Sequence, residues 1–255
     1  AEALYWVQNN GNTYTEVQTV GIPPIALTYY GTKFDTFEYS LGWSFDSRNR
    51  ALFADRGARH RVSASYALPF SDVDFVSFNY DYLQFIPLSK WFTVMFNSEA
   101  GYGQALGDTT SMPPYRRFFA GGPETVRGYR ESRMGPKDSF GNPYGGNIKF
   151  TNQFELLLPM PAKWRNSARF SLFFDIGNVF SNDDVAYVGR DGLTHVDYAL
   201  LFNRCRSSTG VAVQWMAPLG VFRFSYAVPL NEFKGNAVEY PDETEGFQFS
   251  IGQAF

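Results

Sequence analysis

The residues best placed to do chemistry lie in one stretch, FFAGGPETVRGYRESRMGP at 118–136. Arg127 stands between Val126 and Gly128, with Tyr129 next. Gly121, Gly122, Gly128 and Gly135 permit tight bends at positive φ, so Val126 and Tyr129 can pack while Arg127 occupies the tip. An arginine so placed does ionic chemistry and makes no bonds: its planar fork suits bidentate carboxylates. Buried without them, it would cost on the order of several kcal/mol. Two carboxylates are candidates. Over 147–158, Ile148, Phe150, Phe154, Leu156 and Leu158 share one side, and Lys149, Thr151, Gln153 and Glu155 the other. Over 167–180, Ala168, Phe170, Leu172, Phe174 and Ile176 oppose Ser167, Arg169, Ser171, Asp175 and Gly177. Glu155 and Asp175 therefore face the same polar side. The competing reading is a mobile surface loop with a solvated Arg127, and acids that only line a polar interior.

Other chemistries find little support. His60 and His195 are the only imidazoles, one at a strand start and one in a polar loop, and no G-x-S-x-G elbow is present. Both read as solvated, so no enzyme is expected. Cys205 is the single cysteine, too few for an intrachain disulfide or a cysteine metal site. No cofactor is expected. A formal net charge of −3 argues against a nucleic-acid partner, which calls for a basic surface.

The elements that must position these residues read as strands. Besides the two segments above, Phe37, Tyr39, Leu41, Trp43 and Phe45 alternate with Glu38, Ser40, Gly42, Ser44 and Asp46. Eleven strands are expected, at 3–9, 13–20, 36–46, 58–69, 73–87, 91–103, 146–158, 167–180, 207–217, 220–230 and 246–255. A short helix is expected at 22–31, from Pro23 and Pro24 to Gly31. Short connections at 88–90, 159–166 and 218–219 alternate with long ones at 104–145, 181–206 and 231–245. Outer-membrane barrels show this asymmetry of short periplasmic turns and long outer loops. Aromatics make up 18 % of the chain and charged residues 18 %, and no apolar run of about 18 residues encodes a transmembrane helix. The apolar face is Phe, Tyr, Leu and Trp, where a soluble sandwich would show Val and Ile. The expected class is all-β, a transmembrane antiparallel β-barrel with lipid outside and a polar lumen inside. An odd strand count cannot close a bacterial single-chain barrel, and no charged or apolar leader precedes AEALYWVQ. The chain is therefore expected to be the C-terminal portion of one barrel, with the 104–145 loop folded into its lumen. A miscount by one strand is the alternative.

The final segment GFQFSIGQAF sets Phe247, Phe249, Ile251 and Phe255 on one face, with Gly252 as a break. Any barrel needs such a closing strand. Its sequence, with FFAGGPETVRGY, GPKD, NQFELLLPMP, LFFDIGNVF and GVAVQWMAPLGVFRFSYAVPL, occurs in the order seen in the BamA family of barrel-assembly proteins. GWSFDSRNRALFADRGARHRVSASYALPF and GYGQALGD also resemble that family. The resemblance covers about residue 34 to the end, and the start more loosely. VRGY alone marks the wider superfamily, which includes secretion transporters.

The resemblance implies a sixteen-stranded barrel preceded by POTRA domains, of which this chain would hold 11–12 strands and no POTRA domain. It implies that Arg127 enters the lumen and pairs with Glu155 and Asp175. It implies a weakly paired seam between the first and last strands, with Gly252 at a kink of the last. The implied place is the bacterial outer membrane, and the implied function is folding and inserting other barrels by edge-strand templating. The implied partners are unfolded outer-membrane proteins, assembly lipoproteins and outer-membrane lipid. Rival readings are a secretion transporter, a passive pore and a phospholipase or protease barrel.

Overall fold

The computed structural model describes residues 35–109, 111–161, 163–164, 167–183, 187–218 and 220–252. Nine strands run through them: β1 (Glu38–Asp46), β2 (Gly57–Ala67), β3 (Phe75–Pro87), β4 (Thr93–Ala105), β5 (Ile148–Leu157), β6 (Ala168–Phe180), β7 (Arg206–Ala217), β8 (Gly220–Pro229) and β9 (Phe247–Gly252). Every neighbour in sequence is a neighbour in the sheet, and every pair is antiparallel. These strands coincide with the nine expected from residue 36 onward. The strands expected at 3–9 and 13–20, and the helix at 22–31, lie outside the described residues.

The alternation that forms the strands also gives the sheet its two faces. One face is apolar and open to the surroundings: Leu41 is 63 % exposed and Phe249 56 %, beside Trp43, Phe78, Phe154 and Trp215. Its aromatics meet in register across strands, as in Phe96 on Phe154 at 4.8 Å and Phe154 on Phe174 at 6.4 Å. The other face buries polar groups, including Ser77, Thr151, Gln153, Asp175, Ser208 and Gln248. A soluble fold hides its apolar face and wets its polar one. Here the order is inverted, which suits hydrocarbon outside and a polar lumen inside.

At one end of the strands the connections are 47–56, 88–92, 158–167 and 218–219; at the other they are 68–74, 106–147, 181–205 and 230–246. The long loops gather at the second end. The 106–147 connection is two residues later at each boundary than the sequence suggests, because β4 pairs with β3 through Ala105↔Phe75. The 47–56 connection turns back into the lumen. Ala54 is buried against Phe85 and Leu157, and Arg169 donates from Nη2 to the Ala54 carbonyl at 2.8 Å. Alternation has no means of signalling such an inward fold.

Candidate functional site

The 106–147 loop folds back between the sheet's inner walls, and its glycines make this possible. Gly121, Gly122 and Gly128 have φ of 102°, 99° and 87°, a region that costs an L-residue strain. The turn is held by Gly122 N to Tyr129 O at 2.9 Å and Gly121 N to Thr125 Oγ1 at 2.9 Å. Val126 and Tyr129 are fully buried and pack with Ala120, Met134 and Val179. Their burial fixes the backbone that carries Arg127.

Arg127 then reaches the wall. Its Nε donates to Asp175 Oδ2 at 2.7 Å and its Nη2 to Asp175 Oδ1 at 2.8 Å, a bidentate fork. Its backbone N–H donates to Asp175 Oδ2 at 3.0 Å. Nη1 donates to Glu155 Oε1, whose other oxygen accepts from Ser171 Oγ at 3.0 Å. Arg127, Glu155 and Asp175 are 4 %, 4 % and 0 % exposed. The guanidinium lies 3.6 Å from the centre of the Phe173 ring. β5 and β6 bring this about through register: Gln153 faces Asp175 and Glu155 faces Phe173, so the two acids sit diagonally on one inner face. A single cation in this position cross-braces two strands and the loop.

The loop has a second set of ties. Glu124 accepts from Arg223 Nη1 at 2.7 Å on β8 and from Ser250 Oγ at 2.9 Å on β9. Nearer the outer end, Arg117 is buried. It donates from Nε to the Met112 carbonyl at 3.1 Å, from Nη1 to Tyr187 Oη at 2.8 Å and from Nη2 to Asp183 Oδ2 at 3.1 Å, and lies 4.5 Å from the Tyr144 ring centre. Burial works to lower its pKa, but Tyr187, Tyr144 and Asp183 outweigh that and hold it above its ordinary value. This contact joins the lumen loop to the 181–205 loop.

On the last strand, Phe247, Phe249 and Ile251 point outward and are exposed. Gly252 is opposite Val221, the last described pair of the β8–β9 ladder. Phe255 lies outside the described residues. A cavity of about 520 Å³ adjoins the cluster, lined by Arg127 and Glu155 together with Arg59, Arg61, Asp81 and Glu99 among others. His60 bonds Tyr80 Oη at 2.9 Å and stands among aromatic rings, and His195 is exposed in the 181–205 loop. Among the described residues, no group of three His, Cys, Asp or Glu side chains is arranged to hold a metal.

Several residues of the site lie beyond the expected cluster. The odd number of Phe173 places it inward beside Asp175 and Ser171, an aromatic in a polar row. Gln248 and Ser250 occupy the inward positions between the exposed Phe247, Phe249 and Ile251. Arg117 and Asp183 carry no periodic signal.

The Omp85 superfamily domain matches residues 4–255. BamA, an outer-membrane protein assembly factor of Neisseria meningitidis serogroup B, is 37 % identical over 86 % of this chain and 29 % of its own length. The 50 kDa sorting assembly machinery subunit of Saccharomyces cerevisiae is 24 % identical over 62 % of this chain and 31 % of its own. The crystal structure of BamA from Haemophilus ducreyi lacking POTRA domains 1–3 superposes with a TM-score of 0.76 at 25 % identity, over 97 % of this chain and 49 % of that one. The chain thus spans about a third of the length of the curated relatives it matches. The resemblance drawn from the motifs and the barrel architecture are borne out: the strands are part of an outer-membrane β-barrel, and the chain belongs to the Omp85 superfamily.

Proposed function

We propose that this chain supplies the C-terminal part of a barrel that folds and inserts other β-barrel proteins into the bacterial outer membrane. The observation that carries the reading is the lumen loop braced by Arg127 between Glu155 and Asp175, in a chain whose relatives are named assembly factors. The activity makes and breaks no covalent bond. A strand edge presents unpaired N–H and C=O groups, which template an incoming strand. Within lipid each such group needs a partner, so pairing at the edge is strongly favoured over leaving it open. β9 is an edge among the described strands. A client's final strand would pair there, and its hairpins would follow. The loop's role is to hold the wall in register while the seam exchanges partners. Unfolded outer-membrane proteins are the proposed clients, and assembly lipoproteins the accessory partners. A passive pore would instead keep an open lumen, whereas here the loop packs against the inner wall through Arg127, Glu124 and Tyr129.

The test uses the full-length protein in cells supplied with a nascent porin. A photocrosslinking residue at Ile251 on β9 should capture the porin, and one at Phe96 on the outer face of β4 should not. Equal capture at both positions, or none at Ile251, would remove the seam from the account.

A further inference from the structure

β9 is the last strand of the sheet among the described residues, and β8 is its one strand neighbour there. Its inner side chains, Gln248 and Ser250, both turn to the lumen loop. Gln248 Oε1 accepts from Gly128 N at 3.1 Å, and Gln248 Nε2 donates to the Tyr129 carbonyl at 2.7 Å. Ser250 reaches Glu124. The loop backbone extends this hold to the residues just before β9. Arg130 N donates to the Glu243 carbonyl at 2.8 Å, Glu245 N donates to the Gly128 carbonyl at 2.9 Å, and Tyr129 faces Thr244 in an antiparallel bridge. Residues 128–130 therefore stand beside 243–248 as a substitute strand. Gly252, the last described residue, has Val221 of β8 opposite it.

We infer that Gln248 is a positioning residue that fastens the start of the final strand to the lumen loop, so that the strand leaves the sheet there only when this clasp opens. This rests on the reading that the final strand forms the working seam. Gln248 is 4 % exposed, so its amide and the loop groups it meets are shielded from water. With leucine in its place, the Tyr129 carbonyl keeps Gly122 N, but the Gly128 N–H loses the acceptor that Gln248 provides. Gly128 follows Arg127 directly. The brace on the β5–β6 wall and the clasp on β9 are thus one peptide unit apart on the loop, yet each holds its own strand.

Hydrogen–deuterium exchange on the full-length protein in lipid nanodiscs, with no client present, tests the clasp. Losing one buried amide pair is expected to speed exchange across 243–252 about tenfold in Gln248→Leu. Exchange in 148–157 and 168–180 stays unchanged, as does the heat-modifiable gel mobility of the whole barrel. A merely structural residue would loosen all strands together. Ser250→Ala removes only the Glu124 contact and should quicken exchange over 249–252 alone; it carries the test if Gln248→Leu does not fold. Unchanged exchange in the folded variants, or equal loosening of every strand, overturns the inference. Because no client enters the measurement, its outcome is independent of the porin-capture experiment.

Discussion

Removing the Arg127 side chain would leave Glu155 and Asp175 charged in a site that solvent barely reaches. Breaking a buried pair by deleting one partner costs about 3–5 kcal/mol, since the remaining charge is uncompensated. The lost stacking on Phe173 adds up to about 2 kcal/mol in a desolvated setting. Packing of Val126 and Tyr129 with Ala120, Met134 and Val179 still favours the seated loop, but the loop unseats more often while the barrel persists. At roughly 1.4 kcal/mol per tenfold, Arg127→Ala should raise the population of released loop by about two to five orders of magnitude. Trypsin cleavage after Arg130 and Arg133 reads this directly, because in the seated loop Arg130 is tied to Glu243 through backbone and side chain. Cleavage should accelerate strongly while heat-modifiable mobility is kept. Asp175→Asn should release the loop more than Glu155→Gln, because Asp175 takes three of the four bonds from Arg127. Cleavage of Arg127→Ala at the rate of the unaltered protein would refute the reasoning, and the reverse ranking of the two acids would refute its geometric half.

Two further outcomes follow from the same geometry. Gly128→Ala would set a Cβ 3.0 Å from that of Ala227 at a φ of 87°, costing on the order of 1–3 kcal/mol for the strained backbone; the loop-cleavage assay should place it between the unaltered protein and Arg127→Ala. Phe154→Arg puts a charge among Phe96 and Phe174 on the outer face and should destabilise the barrel by about 2–4 kcal/mol if that position lies near the bilayer midplane. Urea unfolding in lipid vesicles measures this, and an unchanged midpoint would contradict the assignment of the face.

Much of this architecture is legible in the chain because strand side chains have a strict period of two. From residue 36 on, every strand could be located, and Glu155 and Asp175 could be put on one face before any contact was known. At Phe173 the period and the residue type disagree: the period sets it beside Asp175 on the inner face, an aromatic side chain suggests lipid, and the lumen wall uses the ring as a platform for a guanidinium. The inward turn of 47–56 onto Phe85 and Leu157 went unread, since a connection has no period. The ties of the lumen loop are illegible for another reason. Gln248 and Tyr129 are 119 residues apart, and Arg117 and Asp183 are 66 apart; only the folded register brings them together. The sequence does mark the loop through its length and its glycines, which is why Arg127 stood out while its further partners did not.

The most direct measurement follows a reporter porin in cells depleted of their own assembly factor and supplied with the full-length form of this protein. Arg127→Glu places three carboxylates together and should halt porin folding, read as loss of the heat-modifiable band. Combining it with Asp175→Arg or Glu155→Arg restores an opposite charge across the site and should recover part of that band. Porin folding that is untouched by Arg127→Glu and by both swaps would contradict the account, leaving the arginine cluster without a part in assembly.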